Sequence, residues 1–487
     1  MPYTYLTETS GIGYGICQRL IDEYLTTRSL TSHLVLIPTT RSAKKSQETV
    51  DSLRRHAKHF ADTSEALRAR AGPGYNPRDT TRRVHIASVQ LDLCQLGSVY
   101  QAADQLAHGA LNAPYSGDDF VSLVDVRIPR LDSLVFNAGL GGWSGFDAVK
   151  ATVNILTCGI IQATTWPAFK VSTPGSTVDP LGGGGGGAGR KDDKDGGKEA
   201  RPVLGEVFCG NVFGHYVFAR ALLPLLNRAA GDPAPRGRIV WESSIEPRGS
   251  DLDMDDFQAL RVPAAYESSK RLTDVLAITA NLPSTRPYVD AYLGTGTGAG
   301  RSTRSSSNST SAADVTPPRI YLVHPGVVRT TLFPLNAFMF FWFGVVLYLA
   351  RWLGSPWHPI TAYNGAVAPV WLVLQDQSAL DANQAERVKW GSSTTRSGEP
   401  RVKKTELEGW GWDGTIDDPA ARYAKSNLEG KNNGRRPGAV DLTPEAREEF
   451  EVLGAECWKE MERLRAEWEA RLKPQSSGTP NGKTRIR

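Results

Sequence analysis

The chain has 487 residues, of which 40% are hydrophobic. That is enough for a substantial core and leaves room for more than one domain. Its 56 basic and 52 acidic residues leave a net charge of +4, which gives no global argument for nucleic acid. Cys17, Cys94, Cys158, Cys209 and Cys457 are scattered and without CxxC spacing, as in a reduced, cytosol-facing protein. The eight histidines form no HxxxH or Cys/His cluster, so no metal site is expected.

The N-terminus lacks the basic and apolar regions of a signal peptide. Residues 2–6 are a short apolar strand candidate, and residues 13–24 carry Ile16, Leu20 and Tyr24 at helical spacing. Residues 34–38 predict a buried strand, 42–56 a polar helix, 84–91 a strand and 96–107 a helix. Residues 131–136 form a continuous apolar run of the kind found in parallel sheets. A long helix is expected over 207–226, with further strands at 238–241 and 320–323. Repeated β-α units imply an α/β fold with a doubly wound parallel sheet.

Three stretches interrupt this pattern. Residues 181–198 are Gly-rich and charged, and 294–312 are rich in Ser, Gly and Thr. Both compositions predict disordered insertions. Asn308-Ser309-Thr310 is formally a glycosylation sequon but, in a cytosol-facing loop, reads as an accident of composition. The third stretch, 332–353, is apolar, but its uninterrupted part, 337–350, is shorter than the roughly 20 residues of a spanning helix. An interfacial or re-entrant anchor is expected, with a span that counts the flanks or a buried core helix as alternatives. Aromatic residues on all sides of this segment argue against the core helix. Beyond it, 359–374 and 443–472 read as helices, the second strongly charged.

Gly11-Ile12-Gly13 lies between the first strand and first helix, where small residues let backbone amides approach a pyrophosphate. An ordinary tight turn is the other reading. After the second strand, Arg41 and Lys44 stand where NAD-selective folds place a carboxylate. Cations there suit the 2′-phosphate of NADP. Asp92 falls near the expected adenine position and could also cap the following helix.

Asn137-Ala138-Gly139 ends one apolar run, and Ser243-Ser244 ends another. Tyr266-Glu267-Ser268-Ser269-Lys270 then stacks a phenol and an ammonium on one helix face. A nearby cation favours the phenolate, making the tyrosine a usable acid or base.

With these motifs in this order, the chain resembles the short-chain dehydrogenase/reductases from Gly11 to Thr330. Asn137, Ala138 and Gly139 look like that family's NAG motif. Asn211 looks like its helix asparagine, and Ser244, Tyr266 and Lys270 like the rest of its catalytic tetrad. Pro325, Gly326, Val328 and Thr330 look like its PG motif beside the nicotinamide. Segments 164–167, 212–216 and 403–414, with the apolar stretch, resemble the fungal 3-ketosteroid reductases of ergosterol synthesis.

That resemblance implies NADP(H)-dependent reduction of a sterol 3-ketone left by C4 demethylation. It implies a membrane surface at the endoplasmic reticulum, with lipid droplets as a second location. Implied partners are other C4-demethylation enzymes and sterol cyclase. Ser244 would hold the carbonyl oxygen and Tyr266 would donate the proton. Lys270 would depress the tyrosine pKa and bind the nicotinamide ribose, and Asn211 would support a water leading to solvent. A catalytic domain over 1–330, an apolar segment over 331–355 and a helical extension over 356–487 completing the substrate side are expected.

The family pattern Thr-Gly-x-x-x-Gly-x-Gly is broken here. Leu6 and Thr7 stand where Thr-Gly belongs, and Glu8 enters the phosphate loop. A misplaced start or splice junction is the expectation, with true degeneration of the loop as the alternative. Two rival functions remain open at this point: reduction of another lipophilic carbonyl, and a cofactor-poor scaffold for membrane sterol enzymes.

Overall fold

The computed structural model describes residues 2–8, 11–182, 202–295, 315–330, 335–416 and 434–472. The sequon at Asn308 and nearly all of both Gly-rich insertions lie outside them.

Among the described residues, nine strands form one sheet. They are β1 (Pro2–Glu8), β2 (His33–Thr40), β3 (Val84–Ile86), β4 (Val89–Gln90), β5 (Ser133–Phe136), β6 (Arg238–Glu242), β7 (Arg319–His324), β8 (Lys389–Thr394) and β9 (Pro400–Thr405). The order is β9-β8-β7-β6-β5-β1-β2-β3, with β4 also on β2. Every pairing is parallel except β8 with β9.

The parallel strands are apolar on both faces because helices cover both. Leu6, Ile239, Trp241, Ile320 and Leu322 join the core on one side, and Tyr5, Val240, Tyr321 and Val323 join it on the other. This period-2 alternation between two buried faces is the doubly wound arrangement expected from the sequence. Helices α1 (Ile12–Thr27) and α2 (Ala43–Thr63) lie on the second side. Helices α3 (Leu96–Ala107), α5 (Ala265–Thr279) and α7 (Pro444–Leu472) lie on the first.

The sheet does not end near residue 330. β8 adds parallel to β7, and β9 closes that edge antiparallel. Helix α7 packs its Trp458, Met461 and Leu464 into the core against α5, and the Trp458 indole donates to Leu276 O at 3.2 Å. The segment after 356 therefore completes the sheet and its core as well as adding helices.

Two expected helices are interrupted. The run over 207–226 is broken into Glu206–Phe208, a π-helical turn Cys209–Phe213, Gly214–Ala221 and Leu223–Leu226. Gly214 permits close approach to the loop before α3, since a Cβ there would lie 2.3 Å from Leu93 O. The run over 359–374 splits into Ala362–Gly365 and Val367–Leu374. Pro369 lacks the amide and would crowd the carbonyl four residues earlier, so one continuous helix is disfavoured.

The apolar helix α6 (Ala337–Trp352) buries only Gly344, Leu347 and Ala350. Phe338, Phe341, Trp342 and Trp352 are 72, 59, 51 and 57% exposed, so α6 is not the buried core helix. At sixteen residues it is about 24 Å long, less than the roughly 30 Å hydrocarbon thickness. No helix of the described residues is long and apolar enough to cross a membrane.

Candidate active site

Between β1 and β5 the strand order reverses, which opens a crevice at the carboxyl ends of the strands. A cavity of about 530 Å3 lies there, within the range of cofactor sites. At one end are Arg41, Ser42 and Lys45, and at the other Ser243, Tyr266 and Lys270.

Gly11 and Ile12 line the cavity at the start of α1. Gly11 has φ +50°, and a Cβ on it would lie 3.4 Å from Thr330 Cγ2 across the cleft. The helix N-terminus with this glycine offers backbone donors and a positive dipole end to an anion. Gly13 is buried in the first turn of α1 and does not line the cavity.

Leu6 and Thr7 belong to β1 and are buried in the sheet, paired with Ile37 and Pro38. The Thr7 hydroxyl donates to Asn137 Oδ1 at 3.2 Å, so the side chain at the family's first glycine position is used to fix the NAG segment. Glu8 ends β1 opposite Thr39. Thr9 and Ser10 lie outside the described residues.

Ser42 caps α2, its hydroxyl accepting from the Lys45 amide at 3.3 Å. This sets the phase of the first turn. Arg41 and Lys45 line the cleft, whereas Lys44 points to solvent 4.0 Å from Glu48 and does not line it. Lys45 was missed by sequence reading because adjacent lysines differ only in the helix phase.

Asp92 lines the cavity, and its Oδ1 accepts from the Cys94 amide at 3.0 Å. It closes a turn before α3 and does not cap the helix, whose N-cap is Gln95. Asn137, Ala138 and Gly139 also line the cavity. A Cβ on Gly139 would lie 3.2 Å from Asn211 Oδ1 and 3.8 Å from Lys270 Nζ, so glycine there lets the loop reach the catalytic groups.

Asn211 sits in the π-helical turn, where the amide is fully engaged. Its Oδ1 accepts from Leu140 N at 2.6 Å, and its Nδ2 donates to Leu140 O at 3.0 Å and to Ser269 Oγ at 2.9 Å. The side chain clamps the NAG loop to α5.

Ser243 and Ser244 divide their work. The Ser243 hydroxyl donates to Lys270 O at 3.1 Å, while Ser244 Oγ accepts from the Glu246 amide at 3.2 Å and stands near the Tyr266 phenol without lining the cavity. Lys270 Nζ donates to Glu242 O at 2.9 Å and lies 5.8 Å from the centre of the Tyr266 ring.

The Tyr266 phenol stands above its ordinary pKa, where a lowering was expected. Burial pushes the phenol up, and Glu246, Glu267 and Glu242 add to it, against a lowering influence of nearby Ser244. The Lys270 ammonium is committed to a backbone carbonyl, and desolvation of a buried phenolate outweighs it. The phenol is thus protonated at neutral pH, the form a proton donor needs.

Sequence reading also missed a group beside the phenol. Lys170, in the strand Lys170–Ser172, pairs with both Glu246 and Glu267. A lone lysine in an apolar run carries no sequence signal for this.

In the PG segment, Pro325 and Thr330 line the cavity. Gly326 and Val328 do not; they anchor the loop. Gly326 has φ +70° and lies against Ser392 O and Trp357 O, where a Cβ would come within 2.6 and 2.9 Å. Val328 bridges to Ile360. The glycine-lined helix terminus, flanking cations and extended cavity fit a nicotinamide dinucleotide.

A 3-keto-steroid reductase of Gibberella zeae is 48% identical over 464 residues, 94% of this chain and 92% of the relative. A 3-keto-steroid reductase of Aspergillus fumigatus is 38% identical over 474 residues, 95 and 93% of the two chains. That of Saccharomyces cerevisiae is 29% identical over 352 residues, 70 and 83%. No protein-family model matches the chain. A solved short-chain dehydrogenase/reductase family protein aligns with 76% of this chain and 89% of its own at 17% identity, with a TM-score of 0.32. At that score the likeness carries no weight, and the fold stands on the strand order above.

Proposed function

This chain belongs to the family of fungal 3-keto-steroid reductases, and from that premise we propose that it reduces a sterol 3-ketone to the 3-hydroxysterol with NADPH. The observation that carries the chemistry is that Tyr266 and Lys270, four residues apart on one helix, both line the nucleotide-sized cavity, with Ser244 close enough to the phenol to act on it.

The bound nicotinamide would supply the hydride. Ser244 would hold the carbonyl oxygen by hydrogen bonding. Tyr266, buried and protonated, would give its proton to that oxygen as negative charge develops there. Lys270 would hold the ribose and compensate the phenolate that remains. Asn211 fixes the distance between the NAG loop and α5, so these groups keep their places without reorganisation. Arg41 and Lys45 support NADPH over NADH through the 2′-phosphate.

The same proposal puts the step in sterol C4 demethylation, at the cytosolic face of the endoplasmic reticulum. Other C4-demethylation enzymes and sterol cyclase would be its neighbours. The exposed aromatic residues of α6 support a membrane surface as the source of a lipophilic ketone.

The test is NADPH oxidation by the full chain with a 4-demethylated 3-ketosterol, against a panel of other ketones. Tyr266→Phe should keep the fold, judged by circular dichroism, and lower turnover by about 10²-fold or more. Near-wild-type turnover in that variant would refute the assignment.

A further inference from the structure

Lys170 touches two carboxylates at once, and both belong to residues flanking the catalytic phenol. Glu246 lies two residues after Ser244, and Glu267 follows Tyr266 directly. The ammonium sits 4.3 Å from the centre of the Trp143 ring and 5.1 Å from that of Tyr266. Trp143 packs edge-on against Tyr266 at 4.8 Å. Trp143–Phe146 and Lys170–Ser172 form an antiparallel pair, with Phe146 opposite Lys170, so the cation is delivered from a paired strand. Its side chain is 7% exposed.

A lysine is rarely buried without a partner, because desolvation disfavours the charged form. Here burial acts to lower its pKa, yet Glu246 and Glu267 raise it above the ordinary value. The ammonium is therefore fixed in its charged form. Its position gives it a second effect. Two carboxylates this close to Tyr266 oppose phenolate formation, and a shared cation cancels part of their field.

We propose that Lys170 is a positioning residue that neutralises the Glu246–Glu267 pair and so sets the pH range over which Tyr266 serves as proton donor. The other charged groups facing this cluster are Lys270 and Glu242 beside the phenol, Arg436 beside Glu246, and Asp251, with its neighbour Arg248, beside Glu267. Lys270 is bound to Glu242 O and Arg436 to Glu246 O, so neither replaces Lys170 between the carboxylates. The inference rests on the reductase reading for its activity measurement.

Two variants shift the field in opposite directions. Lys170→Met leaves both carboxylates uncompensated, and the alkaline limb of ketone reduction should move up by about one pH unit. Glu246→Gln removes one carboxylate, and that limb should move down. Lys170→Arg should retain the wild-type limb. The second readout is the Cζ resonance of Tyr266 in carbon-labelled tyrosine protein, assigned by its loss in Tyr266→Phe. Its titration should begin at higher pH in Lys170→Met and lower pH in Glu246→Gln.

Equal loss of turnover at every pH, with limb and resonance unmoved, would overturn the proposal and leave Lys170 as packing. If Lys170→Met does not fold, the Glu246→Gln shift decides alone. If the wild type reduces no 3-ketosteroid, the reductase reading fails while the resonance still tests the inference.

Discussion

Asp274 and Lys389 form an ion pair of 2.7 Å with both side chains at most 3% exposed. Asp274 lies one turn beyond Lys270 on the catalytic helix α5, and Lys389 opens β8, a strand from the far C-terminal part of the chain. The C-terminal region is thereby tied to the element that carries Tyr266. Breaking one half leaves a buried, uncompensated charge. Lys389→Met should cost about 3–5 kcal/mol of unfolding free energy, read by urea titration. Asp274→Leu combined with Lys389→Met should recover most of that loss, because two apolar side chains leave no orphan charge.

Nucleotide preference should follow helix phase. Arg41→Ala with Lys45→Met should raise the KM for NADPH about tenfold or more and leave that for NADH within about twofold. Lys44→Met should change neither, since that side chain faces solvent. Steady-state kinetics with both nucleotides checks this. Equal effects from Lys44 and Lys45 would place the 2′-phosphate elsewhere.

The exposed face of α6 should bind lipid. Each buried large apolar side chain contributes about 1.5–3 kcal/mol when removed from water. Replacing Phe338, Phe341 and Trp342 by Ser should strongly reduce co-flotation with liposomes, while turnover of a detergent-dispersed ketone persists. A second exposed apolar row, Val149, Val153 and Leu156, lies on helix α4 (Ala148–Cys158), which has no buried residue. If the triple variant still floats fully, that row is the place to look.

Stability should fall on mild acidification through His358. This ring is fully buried between Thr164 Oγ1 and Ser355 Oγ. Burial, with Arg351 nearby, lowers its pKa to about 3 from the ordinary 6.5. Above pH 6.5 neither state is protonated and the contribution is whole. Below it the unfolded chain takes up a proton that the native ring refuses, so stability drops as pH falls towards 3. Between pH 6.5 and 4 the loss from this group is about 3 kcal/mol. Urea midpoints for wild type and His358→Gln at pH 7 and 4.5 isolate it, the variant losing less.

Much of the sheet was legible in the sequence because parallel strands buried on both faces must be apolar throughout. The runs at 34–38, 131–136 and 320–323 announce themselves that way. β8 does not. Its Lys389, Ser392 and Thr394 look like a surface strand, yet all six residues are buried. They are satisfied by distant partners, Asp274 for Lys389 and Gly365 O for Ser392. A polar strand can enter a core when the fold supplies those partners, and no local pattern encodes them.

The tetrad shows the same division. Its members are fixed by order along the chain, because a serine ending one strand and Tyr-x-x-x-Lys on the next helix meet in any such fold. The π-helical turn at Asn211, the exclusion of Lys44 from the cleft and the raised pKa of Tyr266 depend on what packs around them. The sequence by itself determined which groups would converge, since residue type and spacing are covalent facts. Only the tertiary structure decided how far their pKa values move, because burial and the Glu246 carboxylate, distant from Tyr266 along the chain, act through space.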